Sequence, residues 1–203
     1  MAVLPRDSAG RLLPAALAGA FLLAPVPADA RVSLASGSFG TGFAGPVLGL
    51  VHLLGLLAIG LWAGQQGGRP AWQMPVAALV ALFAAGLAAQ AGIDLPYGAQ
   101  GLAGSLIVLG ILIALAPKVP PVAAVVVAAV AGVFQGYSLA GGGGRPLAQA
   151  ALFWSGILAG GLLATTSGVG LVQVAAQGLS PRAVTALGAG IAVDGLLILL
   201  GVW

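Results

Sequence analysis

The chain has 203 residues, of which 60% are apolar and only 5% charged, where a soluble domain carries about 25%. Seven Lys and Arg and four Asp and Glu cannot coat a water-soluble globule of this length. With a mean hydropathy of +1.13, this excludes a soluble enzyme, a nucleic-acid binder and a disordered tail. The apolar runs are continuous rather than alternating, so the sequence predicts an all-α polytopic transmembrane helix bundle and not a β-barrel. The surplus of three positive charges comes with no basic cluster to grip phosphates. Zero Cys removes disulfides, thiolate metal sites and cysteine nucleophiles together.

Residues 1–30 read as a secretory signal peptide. Arg6 and Arg11 form a positive n-region, Leu12 to Ala24 an apolar h-region, and Ala28-Asp29-Ala30 a small–x–small cleavage pattern. The alternative is an uncleaved first helix. Either way the route is bacterial export, which predicts the inner membrane for the domain spanning 31–203.

Six later segments approach the ~20 residues needed to cross the hydrocarbon layer. They are 43–63, 72–92, 99–116, 121–139, 147–168 and 183–202. Between them lie Gln65-Gln66-Gly67-Gly68-Arg69-Pro70, Asp94-Leu95-Pro96, Pro117-Lys118-Val119-Pro120-Pro121, Gly141 to Gly144 with Arg145-Pro146, and Gly178-Leu179-Ser180-Pro181. Each is polar, or carries a helix breaker or a cap. The stretch 169–177 either lengthens the fifth span or forms a short interfacial helix.

Lys and Arg placement sets the orientation. With the mature N-terminus outside, Arg69, Lys118 and Arg182 fall in cytoplasmic loops, while Arg31, Asp94 and Arg145 lie outside. Both termini are then periplasmic, with Trp203 at the outer interface.

Glycine is abundant, at 34 residues. In lipid it lets helices approach closely, and small-xxx-small pairs recur at Gly45/Gly49, Gly60/Gly64, Gly132/Gly136 and Gly156/Gly160. These faces predict tight packing within the bundle, against a membrane protein partner, or both.

Ionisable groups inside spans are costly and are candidates for function. His52, the sole His, lies near the middle of the first span, and Asp194 near the middle of the sixth. The two helices run antiparallel, which puts the residues at similar depth. We expect them to face the interior and hydrogen-bond, directly or through water. Gln100, Gln135 and Tyr137 complete the intramembrane polar set, and Gln is the costlier type. Ser105, Ser155, Thr165 and Thr166 are expected to bond back to their own helices. One His and one Asp are too few for a transition-metal site. No catalytic constellation or phosphate loop is present, so neither an enzyme nor a cofactor is predicted.

The string Gly42-Phe43-Ala44-Gly45-Pro46-Val47-Leu48-Gly49-Leu50-Val51-His52-Leu53-Leu54, followed by Ala58-Ile59-Gly60-Leu61-Trp62-Ala63, is the most specific in the chain. It resembles the G-F-x-H-P-x-x-G-x-D-H-L-L and A-V-G-x-W-A patterns of the HupE/UreJ family of hydrogenase- and urease-associated membrane proteins. Phe134-Gln135-Gly136-Tyr137 resembles that family's F-H-G-Y, and Ser105 to Gly110 its S-V-x-x-L-G. The likeness covers about residues 12–170. It implies a signal peptide, about six spans and the handling of nickel through His, Asp and Glu.

The departures fall on those ligands. Gly45 stands for His, Val51 for Asp, Gln135 for His and Leu139 for a further His, while the expected Glu near Ala99 or Gln100 is missing. Only His52 keeps its family identity. The resemblance therefore implies a family scaffold with a degraded metal site, acting as a structural or accessory subunit of a membrane complex. The alternative is a permease for nickel or another small solute. A wet cavity lined by His52, Gln100, Gln135 and Asp194 would favour the permease, and a dry, tightly packed core the subunit.

Overall fold

A computed structural model describes residues 38–140, 147–178 and 181–202. The expected signal segment 1–30, Arg31, Arg145 and Trp203 lie outside the described residues, as does the side chain of Arg182. Seven helices occupy the described residues: α1 (Ser38–Leu48), α2 (Leu50–Gln66), α3 (Pro70–Gln90), α4 (Gly98–Leu115), α5 (Pro121–Leu139), α6 (Leu147–Gly178) and α7 (Pro181–Leu199). The chain is a multi-pass membrane protein. Four helices are long and apolar enough to cross a bilayer, α1 with α2 makes a fifth as one bent span, and α7 is a shorter apolar helix.

The first span differs most from expectation. The sequence predicts one helix over 43–63, but the chain is helical from Ser38 to Gln66 with a 70° bend at Gly49. Gly49 takes an extended conformation, φ −77° and ψ 103°. A Cβ there would sit 2.6 Å from the Gly45 carbonyl oxygen and 3.2 Å from the His52 ring, so the bend needs a residue without a side chain. The ambiguous stretch 169–177 joins α6, which runs unbroken for 32 residues.

The other ends follow local chemistry. Gly67 and Gly68 adopt φ of 69° and 56°, the left-handed turn that ends α2, and Pro70 opens α3. Ala116, left-handed at φ 47°, stops α4 before Pro117. The α4–α5 connection is then tied to the end of α2. Lys118 Nζ donates to the Gln65 and Gln66 carbonyls at 2.5 and 3.3 Å, and Gln66 Nε2 donates to the Pro117 carbonyl at 2.8 Å. An ammonium on the last carbonyls of a helix satisfies orphan acceptors and complements the helix dipole.

Glycine decides which helices touch. Gly132 and Gly136 of α5 lie against the backbone of Ala78 and Leu82, so α5 runs parallel to α3. Gly110 of α4 meets Gly188 and Ala192, and Gly195 of α7 meets Ala103 and Ile107, so α4 and α7 are antiparallel. Gly156 and Gly160 of α6 back onto Phe39 and Phe43 of α1, and Gly168 onto Leu57 and Leu61 of α2. One long helix thus follows both halves of the bent span.

The centre of the bundle is α2. Its residues Gly55 to Ala63 are all buried, on every face of the helix. Lipid-facing rows of apolar side chains lie outside it, such as Val122, Val126 and Val130 on α5.

Candidate functional site

The polar centre of the bundle forms where α2 leaves the bend. His52 sits in the first turn of α2, and its Nδ1–H donates to Oε1 of Gln135 on α5 at 2.8 Å. Gln135 is 0% exposed. It fits because Gly55 lies one turn below His52 on the same face. A Cβ on Gly55 would fall 1.9 Å from Gln135 Nε2. The glycine is therefore the socket for the carboxamide. Reading the sequence for small-xxx-small pairs misses Gly55, because it has no small partner four residues away. Its signal is the spacing of three from the sole His.

A second meeting lies beside the first. Gly45 of α1 faces Leu139 of α5, and a Cβ on Gly45 would reach Leu139 Cδ2 at 2.9 Å. Positions 45, 52, 135 and 139 thus converge from two segments of chain at one bend. Val51 is a partly buried residue packed against the core.

Asp194 makes no direct hydrogen bond to His52. The imidazole bonds Gln135 instead, and Asp194 Oδ2 is buried with no hydrogen-bond partner. The reason is packing. α7 lies along α4 through Gly110, Gly188 and Gly195, and Leu106 of α4 reaches from Gly195 to Gly55. An apolar side chain thus occupies the space between α7 and the Gln135 socket. The expected direct His52–Asp194 bond is corrected accordingly.

Gln100 is exposed in the first turn of α4, so it does not line an interior site. Tyr137 is partly buried, with its ring beside Gly98 at the α4 N-terminus. Among the described residues no three His, Cys, Asp or Glu lie together as a metal site. The hydroxyls bond back as expected: Ser105 to Leu102, Ser155 to Leu152, Thr165 to Gly161 and Thr166 to Leu162. Gln90 accepts from Trp154 Nε1 at 3.1 Å, and Trp154 packs edge-on against Phe83.

The eight glycines named as packing positions all lean on this chain's own atoms. Gly60 meets the Thr165 carbonyl, Gly64 meets Val169 and Val172, and the rest make the contacts given above. Packing within the bundle thus accounts for the buried Gly60, Gly132, Gly136, Gly156 and Gly160, while Gly45, Gly49 and Gly64 are partly exposed. Gly104, Gly170 and Gly190 have open space beside them.

Chemically the arrangement is a hydrogen-bonded imidazole–carboxamide pair between α2 and α5. The imidazole keeps Nε2 as its second polar atom, and among the described residues no acidic or further basic side chain gathers with it as a metal cluster.

A family model described as HupE / UreJ protein matches residues 19–198. Protein HupE of Rhizobium leguminosarum bv. viciae is 28% identical over 182 residues, which covers 90% of this chain and 95% of that protein. No solved structure matches the chain.

Proposed function

The chain belongs to the HupE/UreJ family, and we propose that it serves as an accessory membrane protein whose metal position has been converted into a structural contact. The observation that carries this is the His52–Gln135 bond, set among Gly45, Gly55 and Leu139. Stable transition-metal coordination takes three or four N, O or S ligands. This locus offers one imidazole, with a carboxamide on its Nδ1 and an alkyl group where a further ligand would stand. The Gly-packed core, in which backbone lies on backbone, supports a scaffold role over a solvated path. No catalytic role is proposed.

The site in the cell follows from charge. Arg69 and Lys118 share one end of the bundle with the start of α7, while Asp94 follows α3 at the other. This favours the inner membrane with the Lys118 end in the cytoplasm and both termini periplasmic. The partner is another membrane protein. It would have to dock on lipid-facing surface away from the buried Gly60, Gly132, Gly136, Gly156 and Gly160.

One observation favours a second reading, a permease for nickel or another small solute. The first span bends by 70° at Gly49, and discontinuous helices of this kind form the substrate sites of many transporters.

The test is nickel binding by the purified protein in nanodiscs, measured by calorimetry. The accessory reading expects no stoichiometric Ni²⁺ site, and no change in cellular nickel on His52→Ala. It also expects that Gly45→His with Gln135→His and Leu139→His creates binding, by adding three imidazoles around His52. A native Ni²⁺ site that His52→Ala abolishes would refute it and favour the permease.

A further inference from the structure

We propose that α2 holds one ordered, neutral hydrogen-bonding molecule, a water, between the indole Nε1–H of Trp62 and the carboxamide oxygen of Gln65. Trp62 is 1% exposed, and its Nε1 is buried with no hydrogen-bond partner. This group can only donate. Gln65 has its Nε2 committed to the Ile113 carbonyl of α4 at 3.0 Å. That bond fixes which end of the amide is which. Its Oε1 is also buried and has no partner, and it can only accept.

The two orphans are complementary and three residues apart. Residues at that spacing neighbour each other on a helix surface, with Cβ atoms about 5–6 Å apart. One molecule that accepts from the first and donates to the second satisfies both. A cation would be repelled by the indole N–H, and an anion by the amide oxygen. A neutral dipole of the smallest size remains, and buried waters characteristically take such roles between polar groups that protein leaves unpaired.

The surroundings favour retention. Gln66, Pro117 and Lys118 bind one another across the end of α2 just beyond Gln65. The water would then belong to the tie between α2 and α4, through the Gln65 bond to Ile113. The other two orphans do not form such a pair. Gln135 Nε2 stands on α5 and Asp194 Oδ2 on α7, and Leu106 of α4 packs against both Gly55 and Gly195 between them.

The experiment is ¹⁵N-indole NMR of the intact protein in nanodiscs. Trp62→Phe assigns the Trp62 Nε1–H resonance by its loss. The expected result is a through-space cross-peak from that proton to water, although the side chain is closed to bulk solvent. Trp154 Nε1–H, bonded directly to Gln90, serves as the dry reference and shows none. Gln65→Met keeps the stem and removes the acceptor, and should shift the Trp62 resonance with loss of its water cross-peak. No water cross-peak in the native protein overturns the proposal without reliance on any variant. If the resonance still shifts with Gln65→Met, the indole bonds the amide directly. If it does not, the indole is unpaired.

Discussion

Gly55→Ala reaches the His52–Gln135 pair without altering either partner. The new methyl would lie 1.9 Å from Gln135 Nε2, 3.0 Å from its Cδ and 3.3 Å from Leu106 Cδ1. The amide has to move by more than an ångström. Retreat of α5 as a whole is blocked, because Gly136 already places a hypothetical Cβ 1.9 Å from the Leu82 carbonyl on α3. The carboxamide therefore swings and gives up its 2.8 Å bond to His52. Leaving the buried Oε1 unpaired costs about 1–3 kcal/mol. Residual overpacking adds about 1–3 kcal/mol. The better helix propensity of Ala returns about 1 kcal/mol. The net is destabilisation by about 3 kcal/mol, on the order of a hundredfold in the unfolding equilibrium. Reversible unfolding in mixed micelles measures this, and the His52 Nδ1 resonance reports the bond. Gly104→Ala is the control, since no atom lies within 4 Å of its added Cβ. It should be neutral, or stabilising by up to about 1 kcal/mol. Stability of Gly55→Ala within about 0.5 kcal/mol of wild type, with an unchanged Nδ1 resonance, would refute the socket reasoning.

Gly60→Ala should be worse than Gly55→Ala, because its Cβ would lie 1.9 Å from the Thr165 carbonyl and 3.0 Å from Gly168 Cα, both backbone. Helices α2 and α6 must part, and we expect a loss of more than about 3 kcal/mol in the same unfolding assay. Lys118→Met removes the ammonium from the end of α2. It should cost about 0.5 kcal/mol and speed amide exchange at Val119 and in the last turn of α2, measured by hydrogen–deuterium exchange. Trp154→Phe keeps an aromatic ring beside Phe83 but loses the bond to Gln90. A loss of about 1 kcal/mol is expected, and Gln90→Ala in the Trp154→Phe background should add little.

Much of the fold is legible in the residues. Gly67-Gly68, Pro117 and Pro121 stop and start helices for reasons of backbone geometry alone, and the structure has its helix ends there. The Gly49 break is half legible. Glycine permits an extended residue within a span, but glycine also recurs along the unbroken α6. What distinguishes Gly49 is that the Gly45 carbonyl and the His52 ring crowd the place a Cβ would take once the chain bends there. The site was legible in its members and not in its pairing. His52 and Gln135 stand out as polar groups at depth, yet depth alone pairs His52 equally well with Asp194.

By itself the sequence determined the solvent of this protein and the ends of most of its helices. Scarce charge forces the chain into lipid, and Gly and Pro punctuate it whatever the neighbours are. The tertiary structure decided which helix is central and which face meets which. In water an apolar stripe announces the buried face of a helix. In lipid every face is apolar, so nothing in α2 marks it as the helix buried on all sides, and nothing on α7 turns it toward α4 rather than α2. Those choices rest on where glycine lets two backbones come together, a property of pairs of helices that no single segment carries. The partner of His52 follows from them.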